Sequence, residues 1–299
     1  MDSFYSHGKL LLTGEYVVLK GAQALAMPCS KGQRLTFTPL TESKLNWESY
    51  DTKKAVWFSA QFDLPQLSIL KSSNSDIAER LKKVLLAARE ENHSFLKHGG
   101  KVETHLEFNQ NWGLGSSSTL IASIAQWAKV NPFMILERSF GGSGYDVACA
   151  QASTPILFTP NGTSPHIKSV TFWPPFIENL FFVYLNQKKD SSEAVRDFSS
   201  IKVDENIINK INEITNHFIQ CTSQDHFNEL LALHETIIGR LIGHTPIQER
   251  LFSDYEGSIK SLGAWGGDFV LASGNSFTPN YFSNYGYSTV IPFKEMCLH

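Results

Sequence analysis

A glycine and serine loop is the segment of this sequence best suited to chemistry. The loop runs through Gly113, Leu114, Gly115, Ser116, Ser117 and Ser118. It follows residues 102–108, where apolar and polar side chains alternate as in a half-buried strand, and it precedes an apolar helical pattern at 120–127. Glycines let backbone N–H groups converge on an anion, and the positive end of a helix dipole favours negative charge. The loop therefore predicts a phosphate site.

A plainer interpretation of the loop is a serine-capped helix after a tight turn. The loop is not the GxxxxGK[ST] phosphate loop, because no lysine follows the glycines, and it is not GxGxxG. The hydroxyl groups of Ser116 and Ser117 would suit phosphate oxygens, and Ser117 would also suit a magnesium ion. A different class of nucleotide-binding loop is needed to explain the pattern.

Three stretches, in the same order, resemble the motifs of the GHMP kinases, the family of galactose, homoserine, mevalonate and phosphomevalonate kinases. Residues 113–118 resemble the second motif, PxxxGLGSSA, without its proline and with Ser118 where alanine is usual. Residues 7–19 (HGKLLLTGEYVVL) resemble the first motif, PGK followed by GEH or GEY. Residues 260–268 (KSLGAWGGD) resemble the third, KxSGAGGGD, with Trp265 in place of a glycine. Three ordered matches are far more specific than any one of them.

A fourth stretch, residues 142–148 (GSGYDVA), resembles the SGxD segment of the family. The resemblance implies that Asp146 is the catalytic base or substrate orienter and that Lys9 is the lysine beside the acceptor. Such a carboxylate can take up the acceptor's proton, and such a lysine can neutralise developing charge. Glu137 is the candidate for the family's magnesium-binding glutamate, although its spacing to Asp146 is shorter than in mevalonate kinases. Without the resemblance, the plainer interpretation of Asp146 is a helix cap, that of Lys9 a solvated lysine at a strand end, and that of Glu137 an exposed acid at a helix end.

The resemblance also implies an α+β fold of two domains, with ATP and the acceptor in the cleft between them. Residues 1–160 would form an N-terminal domain similar to the second domain of ribosomal protein S5, and residues 161–299 a ferredoxin-like C-terminal domain. ATP and Mg²⁺ would bind at residues 113–118, with Ser117 and Glu137 at the metal. The residues assigned to the acceptor are Tyr16, Ser143, Gly144, Gly263, Ala264, Gly266 and Gly267.

Hydrophobic periodicity predicts the elements that position these motifs. Apolar residues recur at helical spacing over 75–92, and helical patterns also cover 145–150, 193–198, 205–219 and 226–242. The predicted strands are residues 10–12, 16–19, 34–38, 55–59, 102–108, 180–185 and 269–272. Lys188 and Lys189 predict a solvated charged turn.

Composition and net charge limit the kinds of partner that we expect for this chain. The chain has 299 residues, of which 42% are hydrophobic and 18% charged, enough for a sizeable core. A net charge of −3 gives no global reason to expect nucleic acid or an anionic membrane as a partner. The four cysteines have no metal-like spacing, which favours reduced thiols in a cytoplasmic protein. The N-terminal residues predict neither a signal peptide nor a membrane span, and we expect a monomer or homodimer.

Within the family, residues 14–16 (GEY), residues 142–148 and the aspartate that closes residues 263–268 resemble phosphomevalonate kinase more than mevalonate kinase. The resemblance therefore implies an ATP-dependent kinase of the mevalonate pathway, with a mevalonate-type acceptor. Mevalonate kinase or another small-molecule kinase on the same scaffold is the alternative, because a fold does not fix the acceptor. A catalytically weakened nucleotide-binding sensor or interaction protein is the alternative from another class, suggested by Trp265, the missing proline and the unusual spacing of the candidate magnesium ligand Glu137.

Overall fold

The computed structural model describes residues 1–188 and 191–298. Within these residues the larger sheet has eight strands, and β2 is the longest of them at 16 residues. The strands are β1 (Asp2–Leu11), β2 (Ala24–Pro39), β3 (Lys44–Tyr50), β4 (Val56–Asp63), β5 (Ile69–Ser72), β6 (Gly100–Leu106), β7 (Ile156–Thr159) and β8 (His166–Ser169). β2 pairs antiparallel with β1, β6 and β7, whereas β3 and β6 run parallel.

A smaller antiparallel sheet follows in the second half of the chain. Its strands are β9 (Leu180–Tyr184), β10 (Ser258–Ser261), β11 (Phe269–Ser273) and β12 (Val290–Pro292). They are ordered β10, β11, β9, β12 across the sheet. The third glycine loop, residues 262–268, connects β10 directly to β11, so the smaller sheet holds this loop at both ends.

Helices cover both sheets. They are α1 (Ser75–Glu91), α2 (Ser116–Ala128), α3 (Pro132–Ser139), α4 (Tyr145–Ala150), α5 (Ser191–Ser199), α6 (Glu205–Gln220), α7 (Gln224–Ile242), α8 (Ile247–Leu251), α9 (Thr278–Asn284) and α10 (Phe293–Met296). α2 and α4 pack on β1 and β2, while α7 and α8 pack on β10. None of the helices in the described ranges is both long and apolar enough to span a membrane.

The predicted helix at 75–92 is confirmed as α1, and the sequence explains its start. The side chain of Asn74 accepts hydrogen bonds of 3.1 Å from the backbone N–H groups of Asp76 and Ile77, which otherwise have no partner within the helix. The buried face consists of Ala78, Leu81, Val84, Leu85, Ala87 and Ala88. The carboxylate of Asp76 lies in the first turn, where the helix dipole favours it.

The predicted strand at residues 16–19 is wrong. Val17–Lys20 forms a short 3-10 helix, because Tyr16 adopts φ +61° and the backbone N–H of Val18 donates to Gly14 O at 2.9 Å. Gly21, with φ +99°, ends the turn. Val17 and Val18 are buried in this turn, and a short apolar run does not by itself distinguish a strand from a buried turn.

The largest core cluster contains residues from both halves of the chain. Leu10 and Phe108 of the first half pack in the same cluster as Phe182, Phe227 and Met296 of the second. The larger sheet extends to Ser169, beyond the expected boundary near residue 160, and the division into two domains stays a prediction. Of the predicted charged turn, Lys188 is exposed and Lys189 lies outside the described residues.

A fully buried ion pair joins the first and third motifs. Lys260 Nζ donates to Glu15 Oε1, and both side chains are 0% exposed. Lys260 also donates to Ser261 O at 2.8 Å, and Glu15 Oε2 lies 3.3 Å from His234 Nε2 on α7. Burial raises the pKa of Glu15 and the Lys260 charge opposes that shift, whereas burial and Lys260 together hold the pKa of His234 well below its usual range. His234 is therefore neutral, and its Nε2 accepts from the backbone N–H of Gly14 at 3.0 Å.

We expect Glu15→Gln to lower the free energy of unfolding by about 3–5 kcal/mol, because it removes the carboxylate that pairs with the buried Lys260 ammonium. The matched control is Glu178→Gln, which breaks a surface pair with Lys294 whose side chains are 66% and 45% exposed. That control should cost less than about 1 kcal/mol. Urea denaturation of both variants tests this, and equal losses would contradict the role of the buried pair.

Candidate active site

The structure places residues 113–118 at the N-terminus of α2, as the sequence predicts. Gly115 is the N-cap residue, adopts φ +83° and has no side chain to satisfy the first backbone N–H groups of the helix. A Cβ added at Gly115 would lie 3.1 Å from Lys9 Cγ and Cε. The loop thus leaves its amides open to an anion and lets Lys9 pass close to the backbone, an arrangement that fits phosphate.

The three serines of the loop point to different surroundings. Ser117 is exposed and Ser116 is half-buried, so both hydroxyl groups are accessible to a ligand at the start of α2. Ser118 is only 4% exposed, and its hydroxyl donates to Asp146 Oδ2 at 2.6 Å. The first two serines therefore remain candidates for phosphate and metal, whereas Ser118 contacts the predicted base.

The pairing of β1 with β2 is irregular beside Lys9, the residue of β1 that contacts the phosphate loop. His7 pairs with Gly32 and Lys9 pairs with Pro28, so the extra residues at this register shift lie on β2. The backbone N–H of Lys9 donates to Leu114 O at 3.0 Å, and Lys9 Nζ donates to Gly113 O at 3.0 Å. Lys9 is therefore hydrogen-bonded to the loop through both its main chain and its side chain.

Three neighbouring side chains stabilise the charge of Lys9. Burial by itself lowers the pKa of Lys9, but Tyr145, Asp146 and Asp268 oppose it and raise the pKa to about 12. The ammonium nitrogen lies 5.7 Å from the centroid of the Tyr145 ring, within range of a cation–π interaction. Lys9 is thus a permanent cation at neutral pH, close to both the loop and the predicted base.

Asp146 lies in the first turn of α4, after the glycine loop that ends at Gly144. Gly144 is buried with φ +87°, and a Cβ there would meet the Phe133 ring of α3 at 3.0 Å. Asp146 Oδ1 accepts from the backbone N–H of Val147 at 3.0 Å. Among the described ion pairs none joins Asp146 to Lys9, whose nitrogen bonds to Gly113 O instead.

The third glycine loop meets the phosphate loop through Asp268, which the motif comparison did not assign to the site. The carboxylate of Asp268 lies against Gly113, where an added Cβ would overlap it. Asp268 is 8% exposed and adopts φ +52°, a left-handed conformation that is unusual for a residue other than glycine. The only sequence signal for this contact was the aspartate that closes the third motif.

The indole of Trp265 packs away from the cleft, against α7. A Cβ added at Gly239 of α7 would lie 3.4 Å from the Trp265 ring, and Trp265 is only 5% exposed. Its backbone N–H donates to the hydroxyl of Tyr16 at 3.0 Å. Tyr16, predicted to bind the acceptor, thus holds the third loop in place, and the bulk of Trp265 does not fill the site.

The cleft itself is narrow. Among the residues that line it are Lys9, Trp112, Gly113, Gly263, Ala264 and Asp268. Its volume is about 20 Å³, room for little more than one water molecule. The lining of this cavity includes neither Asp146 nor residues 115–118, so the cavity alone is too small to enclose a small-molecule acceptor.

The predicted magnesium ligands are not clustered in the described residues. No group of three His, Cys, Asp or Glu side chains there could hold a metal ion, and Glu137 is exposed on α3. Mg²⁺ usually keeps several waters and binds through one or two protein oxygens plus substrate phosphates. The exposed hydroxyl of Ser117 at the start of α2 fits that mode, and the role of Glu137 stays a prediction.

Comparison with known proteins identifies the fold. No protein-family model matches the sequence, and no curated protein sequence is detectably similar to it. Among solved structures, phosphomevalonate kinase from Streptococcus pneumoniae in complex with phosphomevalonate and AMPPNP is 17% identical, with 95% of each chain covered and a TM-score of 0.70. Mevalonate kinase from Methanococcus jannaschii is 15% identical over 95% of this chain and 94% of that one, with a TM-score of 0.69.

Galactokinase from Lactococcus lactis, complexed with galactose, is 13% identical over 99% of this chain and 93% of that one, with a TM-score of 0.68. Kinases with three different acceptors in their names thus have the same backbone fold as this protein over nearly its full length. The chain has the fold of the GHMP kinases, and the predicted α+β fold class is confirmed.

We expect Gly115→Val to weaken ATP binding by more than about tenfold, because the added side chain crowds Lys9 and the open amides of α2. The matched control is Gly243→Val at the end of α7, which also has a positive φ, +68°, but no atom within 4 Å of an added Cβ. Titration calorimetry with ATP on both folded variants tests this. Unchanged affinity in Gly115→Val would refute the phosphate site.

Proposed function

We propose that this chain is an ATP-dependent small-molecule kinase of the GHMP type. One observation carries the proposal: the open N-terminus of α2, the Lys9 cation and the Asp146 carboxylate come from three separate parts of the chain and meet around one loop. Lys9 bonds to that loop at Gly113 O, and Ser118 joins the same loop to Asp146. These are the groups that phosphoryl transfer needs for binding, charge neutralisation and proton uptake.

In this mechanism the backbone amides at the start of α2 bind the phosphates of ATP, with the helix dipole favouring their charge. The Lys9 ammonium neutralises charge that develops on the transferred group, and it holds the acceptor oxygen beside the loop. As the new bond to phosphorus forms, the bond from the γ-phosphorus to the bridging oxygen breaks and ADP leaves. Asp146 accepts the proton when the acceptor is a hydroxyl group, and it orients the acceptor when the attacking oxygen belongs to an already ionised phosphate. The Ser117 hydroxyl would hold Mg²⁺ from the chain side, and the ion would supply positive charge that reduces the repulsion between the phosphates and the acceptor.

The acceptor that we favour is phosphomevalonate or a similar mevalonate-type molecule. The motif resemblance supports it, and a solved phosphomevalonate kinase covers 95% of this chain. Mevalonate itself is the alternative, since mevalonate kinases have the same fold and match this chain with a similar TM-score. At 13–17% identity the shared fold leaves the choice to experiment.

A coupled assay of ADP release from Mg-ATP, with phosphomevalonate, mevalonate and galactose tested in turn, decides among these acceptors. The proposal expects ADP release that depends on one of the acceptors, with phosphomevalonate the best. A chain that binds ATP but shows no acceptor-dependent turnover over a wider panel of small alcohols and phosphates would refute the kinase and favour the sensor.

We expect Asp146→Asn to lower kcat by roughly two to four orders of magnitude while ATP affinity stays nearly unchanged, the range typical of a lost general base. Asparagine keeps the size of the side chain but cannot take up the proton. The control is Asp254→Asn, which removes a carboxylate that accepts from Tyr281 and Tyr285 on the surface. If Asp146→Asn turns over at nearly the wild-type rate, Asp146 is only a residue of the α4 cap.

We expect Ser117→Ala to raise the Mg²⁺ concentration needed for half-maximal activity, because it removes the chain's ligand to the metal. Ser116→Ala, which removes a neighbouring hydroxyl assigned to phosphate alone, should weaken ATP binding equally at all Mg²⁺ concentrations. A magnesium titration of activity for both variants separates the two roles. An unaltered titration for Ser117→Ala would count against the metal role.

A further inference from the structure

We infer that Ser118 is a positioning residue that fixes the Asp146 carboxylate from the first turn of α2. This inference rests on the proposed function, because it concerns the base of that reaction. The motif comparison assigned Ser118 to ATP, together with its two neighbours. The structure assigns it a different task, since its hydroxyl donates to Asp146 Oδ2 at 2.6 Å.

The two oxygens of Asp146 are held by different elements. Oδ2 accepts from Ser118 on α2, and Oδ1 accepts from the backbone N–H of Val147 at 3.0 Å on α4. A carboxylate with one hydrogen bond can rotate about its last torsion angle, whereas bonds to both oxygens fix its plane. Ser118 is only 4% exposed as a residue, so water competes little for this bond.

The bond is a feature of this chain rather than of the motif that it resembles. The motif has alanine where this chain has Ser118, and alanine has no hydroxyl to donate. Ser118 is the third residue of α2, in the turn whose amides are open to phosphate. The same turn would therefore bind the nucleotide and orient the base, so occupation of the phosphate site and alignment of the base are mechanically linked.

A purely structural role for the same bond makes different predictions. α2 and α4 pack against each other, and a hydrogen bond between them would stabilise the fold whatever the chemistry. Loss of a structural bond would lower stability without a selective effect on turnover. Loss of a positioning bond would lower kcat, leave the KM for ATP unchanged and have no effect once Asp146 is gone.

The test measures kcat, the KM for ATP and thermal stability for Ser118→Ala and Ser118→Thr. We expect Ser118→Ala to lower kcat by about 10-fold to 100-fold, the size of effect that a small misplacement of a reacting group produces. The KM for ATP should change less than about twofold, since the open amides of α2 are untouched. Ser118→Thr, which keeps the hydroxyl, should recover most of the activity.

The matched control is Ser123→Ala on the same helix. Ser123 is 0% exposed, and its hydroxyl lies 2.9 Å from that of Ser6, so its loss measures the general cost of removing a buried hydroxyl from α2. We expect Ser123→Ala to lower stability without lowering kcat.

A double variant tests whether Ser118 acts through Asp146. In the background of Asp146→Ala, adding Ser118→Ala should cause no further loss of the residual activity.

Three results would overturn the inference. An unchanged kcat in Ser118→Ala would make the bond structural only. A raised KM for ATP with an unchanged kcat would return Ser118 to the phosphate site that the motif predicted. A further loss in the Asp146→Ala background would show that Ser118 acts independently of Asp146. A wild-type chain without acceptor-dependent turnover would instead remove the proposed function, and the inference with it.

Discussion

The arrangement of the site depends on the buried ion pair between Glu15 and Lys260, which are 245 residues apart in the sequence. Burying two charges is costly unless they are paired, so the first and third motifs can lie in the core only if they lie together. Glu15 is followed directly by Tyr16, whose hydroxyl accepts from the backbone N–H of Trp265 at 3.0 Å. Lys260 lies on β10, the strand that leads into the third glycine loop. Two loops that would otherwise be independent are thus fixed relative to each other.

Because the first and third motifs lie together, a charged side chain from each of them contacts the same residue of the phosphate loop, Gly113. Lys9 reaches it from β1 through a hydrogen bond to its carbonyl oxygen, and Asp268 reaches it from the third loop through a carboxylate packed on its Cα. Only glycine leaves room for that approach. The Asp146 carboxylate also contacts the loop, because it accepts a hydrogen bond from the Ser118 hydroxyl. The phosphate loop is held by charged groups from both halves of the chain, and the narrow cleft follows from this convergence.

The parts of the structure that could be predicted from the sequence are those with local causes. α1 has a capping residue and a long apolar face, and the loop at residues 113–118 has glycines between a strand and a helix, so both were identified. The turn at Tyr16 was missed because a short run of buried apolar residues has the same sequence pattern in a strand and in a turn. The contacts of Asp268, Trp265 and Ser118 were missed because they join residues far apart in the chain, which no local pattern records. The register shift beside Lys9 is of the same kind, since it is visible only in the pairing of two strands.

The central claim is that one loop binds the phosphates of ATP while Lys9 and Asp146 flank the transferred group. A crystal structure of the chain with Mg²⁺ and a non-hydrolysable ATP analogue tests it most directly. The account predicts the triphosphate at the N-terminus of α2, with backbone amides of residues 115–118 within hydrogen-bonding distance and the terminal phosphate between Lys9 and Asp146. A nucleotide bound elsewhere, or one whose terminal phosphate points away from Asp146, would contradict it.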